Sequence, residues 1–222
     1  MPGKRISAKE RQAPKNRKGF RSPVLWTFIG ILAAALIGWQ FYDVQATIGN
    51  ITNRKRSIAL DNKCVLLFHA RLLNKAPISA RLVMLLKDPK GRFTIEGDIG
   101  PIKALSLNPL TLPMGLARME KGKIGEVHFY FAGTDSSSAG RLTILYDGLK
   151  VSLLKKEKDR NGYNKRILAS FAAGLLIKKS NPGPDGKIRT AVVKYNRNLN
   201  KSFFNLVWKS IFTGVKETVG MK

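Results

Sequence analysis

The side chains to weigh first for chemistry are one thiol, Cys64, and two imidazoles, His69 and His128. An imidazole that deprotonates a thiol makes a nucleophile, but such a dyad needs a third group to orient the base, and the spacing here supplies none. With a single cysteine the chain forms no internal disulfide and no zinc site built from several thiolates. Cys64 reads as a small buried hydrophobe. Among the oxygen groups, Asp135 followed by Ser136, Ser137 and Ser138 suits a hairpin loop, and Glu96 and Asp98 flanking Gly97 read as turn chemistry. Gly183 to Gly186 is interrupted by Pro184, so it makes no phosphate-cradling loop ahead of a helix. These patterns point to a protein that is not an enzyme and carries neither cofactor nor metal.

The chemistry that the composition does favour is electrostatic. The 222 residues hold 40 Lys+Arg against 14 Asp+Glu, a formal net charge of +26. Such an excess selects anionic partners, acidic lipid or nucleic acid. Nucleic acid is disfavoured because there is no recognition motif and no aromatic interleaving on a basic sheet.

What must position these groups begins with an apolar run. Val24 to Tyr42 carries no charge, and at 1.5 Å per residue a helix of that length rises about 28 Å, enough to cross a hydrocarbon core. Trp26 near one end, and Trp39 and Tyr42 near the other, suit the two headgroup layers as membrane anchors. Eight Lys and Arg against Glu10 precede the run. The positive-inside bias then keeps the N-terminus in the cytoplasm and exports the rest. Val44-Gln45-Ala46 would also suit cleavage of a leader; the length of the run and its aromatic end favour a retained anchor.

Beyond it, short runs separated by Asn74-Lys-Ala-Pro77, Asp88-Pro-Lys-Gly91, Gly97-Asp-Ile-Gly-Pro101 and Gly133-Thr-Asp-Ser-Ser-Ser138 predict antiparallel strands. Val127, Phe129 and Phe131 alternate with Glu126, His128 and Tyr130. Leu142, Ile144 and Tyr146 alternate with Arg141 and Thr143. The two runs form a hairpin with His128 on the polar face. A third strand, with Leu149, Val151 and Leu153 on one face, follows a turn at Asp147-Gly148. Positions 155 to 162 are charged enough to read as a solvated loop. Ile167, Leu168, Phe171, Leu175 and Leu176 recur at helical spacing, Asn181 to Gly186 is a stop, and Ile188 to Tyr195 is another strand. The last helix, Asn200 to Val219, carries a stripe of Phe204, Trp208, Ile211 and Val215 opposite Lys201, Lys209 and Lys216.

The reading is an α+β chain: a basic cytoplasmic tail (1–22), a transmembrane helix (23–42), an antiparallel curved β-sheet (43–155), and a C-terminal α/β cap ending in an amphipathic helix (156–222). Leu107-Asn-Pro-Leu110, Lys121-Gly-Lys-Ile-Gly125, Gly140-Arg-Leu-Thr-Ile-Leu-Tyr146-Asp-Gly-Leu149 and the closing Lys201 to Gly220 segment together resemble the C-terminal region of AsmA-like proteins. The resemblance runs from about Gly91 to Gly220. It implies an inner-membrane-anchored periplasmic protein of a diderm bacterium, connected with outer-membrane biogenesis and phospholipid transport, whose β-groove shields acyl chains. The chain is far shorter than the long members, so a complete bridge across a periplasm would need further copies or partners.

Basic residues near a strand end, Lys150, Lys155 and Lys156, are the candidates for phosphate headgroups. Phe204, Trp208 and Ile211 are the candidates for lipid or partner contact. The alternative is a tethered structural module that docks an envelope partner protein without binding lipid.

Overall fold

A computed structural model describes residues 40–112, 117–159, 162–168 and 177–220. The described residues from Gln40 onward belong to one compact unit. Residues 24–39 of the span expected up to Tyr42, with Trp26 and Trp39, lie outside the described residues, among which no helix is long and apolar enough to cross a membrane.

Nine antiparallel strands of the described residues make one curved sheet: β1 (Phe41–Gly49), β2 (Lys63–Leu72), β3 (Ala76–Leu85), β4 (Phe93–Ile99), β5 (Ile102–Lys103), β6 (Ala117–Gly133), β7 (Ser137–Asp159), β8 (Gly162–Leu168) and β9 (Thr190–Asn196). The order is β1-β2-β3-β4-β6-β7-β8; β5 pairs with β6 beyond β4, and β9 pairs with the first half of β7. Among the described residues three helices accompany it, α1 (Lys55–Leu60), α2 (Asn108–Thr111) and α3 (Phe203–Val219), with a 3₁₀ turn over Ala104–Leu107.

Alternation builds the core as expected. Val127, Phe129 and Phe131 are buried while Glu126, His128 and Tyr130 are exposed. Because the strands are in register, Ile95, Phe131 and Gly140 line up across β4, β6 and β7, and the next row holds Gly97, Phe129 and Leu142. One face is thereby apolar from β4 to β9. Turn chemistry closes the hairpins: Leu73 and Asn74 take positive φ between β2 and β3, and the Thr134 amide donates to the Ser137 carbonyl at 2.8 Å across a three-residue loop.

Several expectations are corrected. Glu96, Gly97 and Asp98 lie inside β4 and form no turn. Gly97 serves close approach, because a Cβ there would stand 2.5 Å from the Phe129 ring. There is no turn at Asp147-Gly148: β7 runs unbroken for 23 residues, and Gly148 at φ 58° forms an irregularity opposite register shifts in β6. The charged stretch after Lys155 is no loop up to Asp159, because it pairs residue by residue with β8, a backbone contact that charge content does not report. A boundary at 155/156 therefore falls inside a strand. Ile167 and Leu168 end β8 and start no helix, and residues 169–176 lie outside the described residues. Phe41 and Tyr42 belong to β1, so the expected span does not reach Tyr42 as helix.

The terminal helix is present and capped as its sequence asks. The Ser202 hydroxyl accepts from the Asn205 amide, and Gly220 closes the other end with φ 84°. Its buried face is different from the expected stripe. Leu206, Ser210, Gly214 and Thr218, four residues apart, point into the sheet, and Gly214 lies against Leu142 and Val193. Small residues let the helix axis come close to the strands, and that geometry rotates Phe204 and Trp208 outward to 69% and 37% exposure. Ile211 and Val215 still pack against the core edge. Leu206→Ala is expected to cost about 3 kcal/mol and Trp208→Ala within about 1 kcal/mol, a contrast that urea melts of the two variants measure directly.

Candidate functional site

The sheet's two faces carry different chemistry, and pleating decides which residues reach which. Cys64 and His69 are five positions apart on β2, so they fall on opposite faces. Cys64 is buried in the apolar face and His69 is exposed on the other. The thiol–imidazole pairing considered from the sequence does not form. Ser138 is likewise committed to packing, its hydroxyl 2.5 Å from that of Ser210 beneath α3.

On the polar face the register aligns His69, Ser79, Asp98 and His128 across β2, β3, β4 and β6. His128 Nδ1 lies 2.7 Å from Asp98 Oδ1, and a depression of about 430 Å³ opens along this row, with Glu126 at its side. Both partners of the His128–Asp98 pair are about two-thirds exposed. Among the described residues no group of three or more His, Cys, Asp or Glu side chains is arranged to hold a metal ion.

The apolar face continues beyond its cover. α3 packs on β7 and β9, while the 3₁₀ turn and α2 pack on β6. The 3₁₀ turn is led there by Ala104, and Asn108 brackets the Met119 backbone, donating to its carbonyl at 2.9 Å and accepting from its amide at 2.8 Å. The apolar positions of β1, β2 and β3 extend past both footprints. Ile48 pairs with Leu66, which pairs with Leu82. Ala46 pairs with Phe68, which pairs with Ala80. Leu82 is buried, Leu66, Phe68 and Met84 are half-buried, and Ile48 is 50% exposed. Phe41 stands edge-on to Phe68 with ring centroids 5.8 Å apart. The result is a strip that grades from closed core to solvent over three strands. It was hidden in the sequence because β1 follows directly on a longer apolar run, and because Leu67 blurs the alternation of Leu66, Phe68, Ala70 and Leu72.

The basic candidates do not flank this strip. Lys150 is held by Glu120 at 2.9 Å. The Ser152 hydroxyl and then the Lys150 ammonium keep the Glu120 carboxyl below its ordinary range. Lys155 and Lys156 sit on β7 opposite Arg166 and Lys165 of β8. They lie eleven and twelve positions along β7 from Ile144, the residue in line with Ala70 of β2. Tyr42, 44% exposed, is on edge strand β1. Phe204 and Trp208 are solvent-facing on α3, while Ile211 is a core-edge residue.

At the β3–β4 turn the Arg92 guanidinium, 2.5 Å from Asp88, together with the Lys90 and Arg92 amides, holds the Asp88 carboxyl below 3.8. A carboxyl depressed in the folded state stabilises fully above its unfolded value near 4, and that contribution is lost as pH falls through the depressed folded value. The melting-temperature gap between the wild type and Asp88→Asn is therefore expected to be constant near neutrality and to close below about pH 4.

No family model, no curated protein and no solved structure matches the chain.

Proposed function

We propose that this is a non-enzymatic envelope protein, held in the inner membrane by the segment before β1, whose sheet shelters phospholipid acyl chains on the uncovered apolar strip of β1, β2 and β3. The observation that carries the reading is the gradient from buried Leu82 to half-exposed Ile48 on one continuous face with no described helix over it. β2, ten residues long, offers about 33 Å of apolar track. Each methylene laid on it contributes about 0.8 kcal/mol, less the ordering of the chain. The resemblance of the segment from Gly91 to Gly220 to AsmA-like proteins supports the same role, a contribution to outer-membrane biogenesis or phospholipid transport from the periplasmic side.

A second reading, a tethered module docking an envelope protein without lipid, draws on β1, an edge strand exposed along eight of its nine residues and able to accept another strand. Protein extracted in mild detergent and analysed by native mass spectrometry separates the two. Co-purifying phospholipid, lost in Ile48→Asp and Phe68→Asp, is expected. Lipid-free wild-type protein leaves the docking role.

A further inference from the structure

The end of the sheet where β1 finishes and β2 begins is built from segments 50–63, 86–92, 134–136 and 197–202, and hydrogen bonds join them. The Leu86 amide donates to the Asn62 carbonyl at 2.7 Å, the Asp135 amide to the Lys90 carbonyl at 3.0 Å, and the Arg197 guanidinium to the Asp135 carbonyl at 2.7 Å. Seven strands end or start here, so at about 4.8 Å per strand the edge is about 29 Å wide. β1 enters the sheet at the other end, where Phe41 pairs with Leu72, about 30 Å away along the strand.

Two properties coincide on it. The four segments contain nine Lys and Arg against three Asp. Two of those acids are engaged within their own loops, Asp88 with Arg92 and the turn amides, Asp61 with the Lys63 amide. Arg54, Lys55, Arg56, Lys87, Lys90 and Lys201 form no ion pair among the described residues. Of the four most exposed large apolar side chains of the described residues, Leu60 at 86%, Ile51 at 75% and Leu199 at 68% lie in these segments, and Phe204 at 69% follows directly in the first turn of α3. Ile51 and Leu60 bracket Arg54-Lys55-Arg56, and Leu199 and Phe204 bracket Lys201.

Charge alone would describe a solvated rim, and apolar groups alone would suit a protein partner. Interleaving of the two along one edge matches a boundary where acyl chains lie just beneath a layer of phosphates. We propose that this edge is a docking surface for an anionic lipid bilayer, with Ile51, Leu60, Leu199 and Phe204 entering the headgroup layer and the neighbouring cations meeting lipid phosphate. It is independent of where acyl chains sit on the strip, because Ile51, Leu60, Leu199, Phe204, Arg54, Lys55 and Arg56 all lie outside β1, β2 and β3.

The test uses the full chain in neutral phosphatidylcholine nanodiscs, passed over supported bilayers of phosphatidylcholine with and without phosphatidylglycerol. Chain that does not enter the discs is assayed free on the same bilayers, so failure of the anchor reading is seen separately. Binding to the phosphatidylglycerol bilayer is expected to be about tenfold or more tighter than to the neutral one, and reversal of Arg54, Lys55 and Arg56 to Glu is expected to remove that gain. Leu60→Ser with Phe204→Ser is expected to shorten residence at high salt, with the thermal melt unchanged. Reversal of Arg118, Lys121 and Lys123, the same change in net charge at the far end of β6, should leave binding intact. Single Lys87→Gln and Arg56→Gln variants, each with a smaller loss, serve where the triple reversal disturbs folding. Equal binding to neutral lipid, equal loss in the far-end variant, or retention only by an envelope protein and not by lipid overturns the proposal.

Discussion

Gly140→Val is expected to abolish the cooperative unfolding transition of the sheet. A Cβ at Gly140 would stand 2.0 Å from the Tyr130 carbonyl oxygen and 2.7 Å from the Phe131 Cα, both backbone atoms of β6. A flexible side chain gives way at little cost, but β6 is fixed on its other edge by β4 through seven paired residues from Phe93 to Ile99. Relief would require the β6–β7 ladder to part at the point where Phe131, Gly140 and Val193 cross the centre of the core. The loss should reach about 4 kcal/mol or more, a large share of a domain's stability. Urea titration followed by circular dichroism reads it, and a midpoint equal to wild type would show that the strands do not cross as closely as described.

Asn181→Ala is expected to cost about 4 kcal/mol through a different cause. Asn181 is fully buried, and its amide replaces a missing strand. The side-chain nitrogen donates to the Ile144 carbonyl at 2.6 Å and the Arg189 carbonyl at 2.9 Å, and its oxygen accepts from the Arg189 amide at 2.7 Å. Its backbone pairs with Tyr146, filling the edge of β7 between β9 and β8. Alanine leaves the buried Ile144 carbonyl and the half-buried Arg189 carbonyl and amide without these partners. Asn181→Asp keeps the acceptor and loses both donors, so it should recover little of the stability, whereas a simple cavity effect would leave Asp near wild type. Thermal melts of the pair distinguish the two.

The same two residues show what the sequence made legible. The stop around Asn181 was visible in its Pro and Gly content, but the use of its amide as a strand surrogate depends on three backbone groups brought in from elsewhere. The β6–β7 hairpin was readable because Phe129, Phe131, Leu142 and Ile144 alternate strictly with polar neighbours. β8 was not readable, since Lys155 to Asp159 owe their place to pairing with residues 162 to 166. For α3, side-chain size points to Phe204 and Trp208, whereas packing buries Ser210 and Gly214 because they allow close approach. The strip is not legible in the sequence for a related reason. It consists of ordinary strand residues, and only the positions of α3, α2 and the 3₁₀ turn decide which of them stay uncovered.

Lipid on that strip can be trapped directly. A photoreactive phenylalanine analogue placed at Phe68, on the apolar face of β2, and separately at His128, on the polar face of β6, can be irradiated in intact cells and the adducts analysed by mass spectrometry. Phospholipid is expected to be joined to position 68 and absent from position 128. Adducts to lipid at neither position, or equally at both, would contradict the proposed shelter.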